Sequence, residues 1–163
     1  MAIQLYRAPK LLDYVHVCMN LNPDEREQIE AFTGRPYDPE EIAWSHAQRE
    51  MAWMLCSDEK PIAIAGFDML RPGVWQDWML STPEAWDAKH WRTTTKHVKR
   101  VMDAMLKKDA HRLQCVSLAS RIHAHKWYAV LGLAPEAPLK AYGANGEDAI
   151  IFSRLRDEPD GQQ

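Results

Sequence analysis

At 163 residues, with 46% hydrophobic and 26% charged side chains, the chain has the length of one domain with a real core and the composition of an ordinary soluble globular protein. No apolar run approaches the ~20 residues of a membrane-spanning helix. The start, MAIQLYRAPKLLDYV, lacks the basic end, apolar stretch and small-residue cleavage site of a signal peptide. Both features lead to the expectation of a protein kept in a cytoplasm, without a membrane partner.

The net charge of −3 is unevenly laid out. Residues 1–50 carry nine acidic against five basic side chains, whereas residues 89–108 carry seven Lys or Arg against Asp103 alone. The basic segment suits phosphate, a nucleic-acid strand or an acidic protein surface, or is a solvated helix face. The overall acidity disfavours nucleic acid.

In chain order, AIQLYRA (2–8) reads as a short strand, and PKLLDYVHVCMNL (9–21) as a helix with Leu11, Leu12, Val15 and Met19 on one stripe. In NPDEREQIEAFTG (22–34), Asn22 is placed to cap a helix, Pro23 needs no N–H, and Gly34 stops the turn. Asp38 and Pro39 repeat the device before EEIAWSHAQRE. MAWMLCS (51–57) and PIAIAGFDML (61–70) read as strands joined by a DEK hairpin turn, and RPG (71–73) turns the chain into VWQDWML (74–80). Residues 92–108 are expected as a helix with Val98, Val101, Met102, Met105 and Leu106 inward and the basic residues mostly opposite.

LQCVSLA (113–119) is a strong strand pattern. Ser120 is placed to cap the next helix, with Ala124, Trp127, Tyr128 and Leu131 on one face and Gly132 as its stop. LKAYGANGEDAIIFSRL (139–155) reads as a hairpin turning at Asn145-Gly146. The passage from 74 to 119 requires a parallel strand pair with a right-handed crossover. The expected fold is therefore α/β, a mixed sheet with helices on both faces, forming a single domain over residues 1–155 with a flexible tail at 156–163.

With this element order on the page, residues 3–155 resemble the GCN5-related N-acetyltransferase superfamily, which implies a mostly antiparallel sheet. The sharpest local match is ASRIHAHKWYAVLGL, similar to the family's N-x-x-A-x-x-(L/F)-Y-x-x-x-G-(F/L) segment. The resemblance puts Tyr128 where active members hold the tyrosine that protonates the coenzyme A thiolate. Asp77, or else Asp68, would then be the general base, reaching the amine directly or through one water. Lys89, Arg92 and Thr93 would hold acetyl-coenzyme A, with His90 adding charge nearby.

Two departures stand against that activity. The family's (Q/R)-x-x-G-x-(G/A) loop holds the cofactor pyrophosphate on backbone N–H groups, which requires glycine for close approach. Here the stretch is STPEAWDAKHWRTTT, with no glycine, a proline at 83, carboxylates at 84 and 87, and indoles at 86 and 91. The family's Asn six residues before the tyrosine is Ile122. Tyr128 is accordingly expected to pack, Asp77 to be a plain exposed strand residue, and the chain to use no cofactor.

A second resemblance, carried by PIAIAGF, by VW-x-x-W followed by TP-x-x-W, and by the basic helix, is to the internal virion protein A group of short-tailed bacteriophages. It implies a non-catalytic acetyltransferase-like protein of a phage virion or its assembly, located in virion or host cytoplasm. Its partners would be other virion proteins or copies of itself. Trp86 and Trp91, in a polar loop, are the expected partner-binding residues. The alternative is acetyl-coenzyme A-dependent acetylation of an amine.

Other chemistry finds little support. The odd cysteines Cys18, Cys56 and Cys115 have no CxxC spacing, which argues against a disulfide framework and a zinc site. His123 and His125 are two apart on a helix and point apart, and neither HExxH, G-x-S-x-G nor a P-loop occurs. Trp75 and Trp78 have opposite parity on a strand and must face opposite sides of the sheet.

Overall fold

A computed structural model describes residues 3–157 of the chain. The elements run β1 (Ile3–Arg7), α1 (Leu11–Met19), α2 (Pro23–Thr33), α3 (Pro39–Ala47), β2 (Ala52–Ser57), β3 (Lys60–Arg71) and β4 (Val74–Ser81). A 3-10 turn (Pro83–Trp86) leads into α4 (Ala88–Lys108), followed by β5 (Arg112–Leu118), α5 (Ile122–Val130), β6 (Ala134–Leu139) and β7 (Ala149–Leu155). The strands form a seven-stranded sheet in the order β1-β2-β3-β4-β5-β7-β6. All pairs are antiparallel except β4 and β5, which the α4 crossover joins in parallel. The α/β class and the mostly antiparallel mixed sheet are as the sequence implied.

Turn chemistry sets the central register. Asp58 and Glu59 take φ of 49° and 66°, as a two-residue hairpin with Ser57 opposite Lys60 demands. Pro72 and Gly73 make the next turn, with Gly73 at φ 80°; a Cβ there would lie 2.2 Å from His111 Nδ1, so only glycine fits. At Gly66 the Trp78 ring lies where a side chain would start, 2.7 Å from an added Cβ.

The two sheet faces have separate cores. Trp53, Phe67 and Cys115 pack under α4 and α5 with Val98, Met102, Met105, Leu106, Trp127 and Tyr128. Tyr14, Val17, Cys18, Ala43, Met54 and Ile64 pack under α1 and α3 on the other face. Trp75 joins the first core and Trp78 the second, as their parity required. The α4 and α5 stripes are those the spacing marked. All three cysteines are free and buried.

Several local expectations are corrected. In α1 most of the marked stripe faces outward: Leu12 is 80% and Met19 63% exposed and only Val15 packs partly on the core, while Tyr14, Val17 and Cys18 are buried. Both faces of this helix are apolar, and the one carrying the aromatic ring wins the core. Asn22 forms no side-chain cap; its amide reaches Ser81 Oγ at 3.2 Å and its backbone N–H donates to Ser81 O at 2.9 Å. Asp38 does cap α3, accepting from Glu40 N and Glu41 N. α4 begins at Ala88, so the glycine-free stretch is itself a 3-10 turn and the first turn of a helix.

Ser120 does not cap α5, whose N-cap residue is Arg121. The last hairpin is wider than expected. β6 starts at Ala134 and Asn145-Gly146 lies inside a long loop, because Pro135 and Pro138 are tolerated on an edge strand. At the C-terminus Arg156 is anchored, its guanidinium donating to Leu106 O at 2.5 Å and Ala110 O at 3.0 Å. The rest of the expected tail, 158–163, lies outside the described residues, as does Ala2 of the first strand.

Candidate functional site

The parallel pair holds for three residues only, Val74 to Gln76 against Arg112 to Gln114, and then β4 and β5 part. Parting frees backbone groups that must find partners in a dry interior. Ser81 of β4 donates its N–H to Glu25 Oε2 at 3.2 Å, and Leu118 of β5 donates to Gln28 Oε1 at 2.9 Å. Glu25 and Gln28 are one turn apart on α2, so one helix face bridges both sides of the opening.

Asp77 of β4, Cys115 of β5, Tyr128 of α5 and Arg121 line a cavity of about 80 Å³ in the opening, together with Glu25 and Gln28. That volume holds a few waters. The expectation of Asp77 as a plain exposed strand residue is overturned: on β4 it shares parity with Trp75 and Met79, which pack on the α4–α5 side. Burial pushes its carboxyl up to about 7, against a hydrogen bond from the Cys115 thiol that favours the charged form.

Glu25 is 6% exposed. Burial lifts its carboxyl to about 8, even though the Ser81 hydroxyl, 2.6 Å away, and the nearby Arg121 favour the charged form. Burial also raises the Cys115 thiol, with Asp77 adding to the effect, so this cysteine is a poor nucleophile. The Tyr128 phenol is raised by burial first and then by Cys115, and it keeps its proton at neutral pH. Its ring packs edge-on to Phe152 with centroids 5.1 Å apart. Asp68 lies elsewhere, ion-paired to Arg49.

Trp86 stands at the mouth of this cavity. Its indole N–H donates to Ser81 Oγ at 2.8 Å, and its ring meets Trp127 edge-on at 5.2 Å. Trp127 is fixed in turn by a bond to Thr95 Oγ1 at 2.9 Å. Outside lies a second groove of about 640 Å³ between the start of α4 and α5, lined among others by Trp86, Trp91, Lys126, Trp127 and Val130 and, from the α2 side, by Asn22 and Asp24. Trp86, Arg121, Ala124 and Trp127 line both spaces, so the indole pair separates the outer groove from the buried carboxyls.

The residues around the 3-10 turn do not fit a coenzyme A diphosphate. The N–H of Thr82 donates to Ile62 O, that of Ala85 to Thr82 O and that of Asp87 to Glu84 O, while Pro83 has none. A phosphate cradle needs several such donors turned toward the ligand. His90 is fully buried with Nδ1 2.9 Å from Glu84 O, and Nε2 has no partner among the described residues. Lys89, Arg92 and Thr93 are exposed on α4 and line neither space. Lys60 pairs with Glu84 of the turn at 2.9 Å. The structure thus brings Asp77 and Tyr128 together, puts Trp86 and Trp91 along one groove as half-buried residues, and leaves the three expected cofactor residues outside.

Glu25 and Arg121 were not singled out from the sequence. In PDEREQIE, Glu25 is indistinguishable from any acidic residue of a helix's first turn. Among the described residues no group of three or more His, Cys, Asp or Glu is placed to hold a metal ion, and no helix is long and apolar enough to cross a membrane.

No protein-family profile and no curated protein matches the sequence. Solved structures do match in fold. The ribosomal-protein-S18-alanine N-acetyltransferase of Escherichia coli superposes with a TM-score of 0.70 at 17% identity, over 97% of this chain and 96% of that one. An N-acetyltransferase of Staphylococcus aureus gives 0.74 at 15% identity, over 96% and 100%. A GNAT-family acetyltransferase of Bacillus anthracis gives 0.71 at 10%, over 97% of each chain. The chain has the acetyltransferase fold over almost its whole length.

Proposed function

We propose that this chain is an acetyltransferase-fold protein that works by binding other proteins rather than by coenzyme A chemistry. The observation that carries the reading is Trp86, tied to Ser81 and packed edge-on against Trp127 in the opening between β4 and β5. In the turn that would face a diphosphate, the N–H groups of Ala85 and Asp87 donate to Thr82 O and Glu84 O, and Pro83 has none. The setting we infer is a phage particle or its assembly, supported by the sequence resemblance alone.

A second reading, N-acetyl transfer to an amine, is favoured by one specific arrangement. Asp77 and Tyr128 line one cavity, with Asp77 at about 7, where a carboxyl can take a proton from an amine at neutral pH. Tyr128 there would hold a proton to give. Proteins named as acetyltransferases share the fold, which supports this reading at the level of architecture.

Thiol release from acetyl-coenzyme A, measured with a panel of small amines and peptide N-termini, separates the two. The binding-protein reading expects no release above the enzyme-free rate. Release that disappears in both Asp77→Asn and Tyr128→Phe would establish the transferase instead.

A further inference from the structure

The outer groove and an exposed tryptophan on the opposite face of the sheet have matching chemistry. Trp44 on α3 is 60% exposed, an unusual position for the residue that most often anchors protein contacts. Glu40 and Glu41, one turn earlier on α3, share its side of the helix. Glu41 pairs with Arg35 on the surface, and Glu40 has no ion pair among the described residues. The groove supplies the complement: an apolar floor of Trp86, Trp91, Trp127 and Val130, with Lys126 and His123 on its α5 rim and, on its α2 rim, Asp24, whose charge is paired with Arg121.

We propose that a second copy of this chain fills the groove, with Trp44 of one copy seated among the tryptophans of the next and Glu40 facing Lys126. The proposal rests on the binding-protein reading and names its partner. Charge complementarity extends beyond the pocket, since the acidic surplus of residues 1–50 would meet the basic surplus of α4. α3 covers one sheet face, whereas α4 and α5 cover the other, so Trp44 serves a neighbour's groove. The contact joins two different surfaces and is heterologous: it propagates from copy to copy and closes only as a ring.

Sedimentation velocity on the full chain, from about 1 μM to about 1 mM, tests this. The wild type is expected to grow in mass with concentration and to lose the association as salt is raised toward about 1 M. Trp44→Ser and Lys126→Glu both alter exposed side chains, and circular dichroism checks that each stays folded. Each variant alone is expected to associate at least about thirtyfold more weakly. Mixed in equal amounts they should form a 1:1 dimer, because one variant keeps its groove and the other its Trp44.

A wild type that stays monomeric throughout would overturn the proposal, as would variants that assemble like the wild type. A mixture that remains monomeric while the wild type assembles would also overturn it. Loss of binding to a different protein in Trp44→Ser, with a monomeric wild type, would assign the surface to that protein and sink self-association. Failure here is distinct from failure of the binding-protein reading, which shows as thiol release from acetyl-coenzyme A.

Discussion

The indole N–H of Trp86 lies 2.8 Å from the Ser81 hydroxyl, and that hydroxyl donates to Glu25 Oε2 at 2.6 Å. Three elements meet in this chain of bonds: the turn before α4, the end of β4 and the first turn of α2. It fixes the indole where β4 and β5 part. Trp86→Ala is expected to cost about 2–4 kcal/mol in urea unfolding, below the range for a fully buried tryptophan because Trp86 is half-buried. The same variant should join the inner cavity to the outer groove, visible as new binding of a small apolar dye.

The two raised carboxyls set a pH dependence of stability. Unfolded carboxyls titrate near 4, whereas Asp77 and Glu25 hold their protons to about 7 and about 8. Between those limits the folded state binds protons that the unfolded chain has lost, so stability falls as pH rises. His46, pushed down to about 4 chiefly by burial, acts oppositely, but mainly below its unfolded value of about 6.5. From pH 6.5 to 8.5 the carboxyls outweigh what remains of His46 and of His125, also lowered by burial, and a net loss of about 2 kcal/mol is expected. Glu25→Gln should flatten most of that fall in chemical unfolding at each pH.

Tyr128 is 8% exposed and wedged against Phe152, with its hydroxyl near Ser117. In a binding protein the ring matters and the hydroxyl does not. Tyr128→Phe should change unfolding free energy by no more than about 1 kcal/mol, whereas Tyr128→Ala should cost about 3–5 kcal/mol for the cavity it leaves. Assembly into larger complexes should survive the first substitution.

Arg121 has an 8% exposed side chain that pairs with Asp24 at 3.1 Å and lies close enough to Glu25 to favour its charged form. Removing the charge leaves the neighbouring carboxyls of Asp24 and Glu25 with less compensation. Arg121→Gln should destabilise the fold by about 1–3 kcal/mol, less than a fully buried pair because Asp24 is half exposed. It should also raise the Glu25 titration further, which carbon-detected NMR of the side-chain carboxyl would read.

The sheet was legible where side-chain periodicity and turn chemistry agreed. DEK, RPG and the 74–119 crossover placed β2 to β5, and the α4 and α5 stripes fell on the right faces. α1 misled because it is apolar on two sides and only packing against Tyr14 decides between them. The last hairpin reads in the sequence from residue 139 onward, whereas its first strand, β6, is Ala134–Leu139, an edge strand that carries two prolines. Asp77 and Tyr128 were identifiable as residues, but their meeting depends on where β4 and β5 separate, which is a long-range property. Glu25 was invisible for the same reason: its partners, Ser81 and Arg121, lie far from it in sequence.

Isothermal titration of the wild-type chain with acetyl-coenzyme A tests most directly whether Trp86 and the self-bonded turn close the cofactor groove. No saturable heat is predicted up to about 1 mM ligand, a limit corresponding to about −4 kcal/mol of binding. Saturable binding at micromolar concentration, weakened by substitutions at residues 82–92, would contradict it.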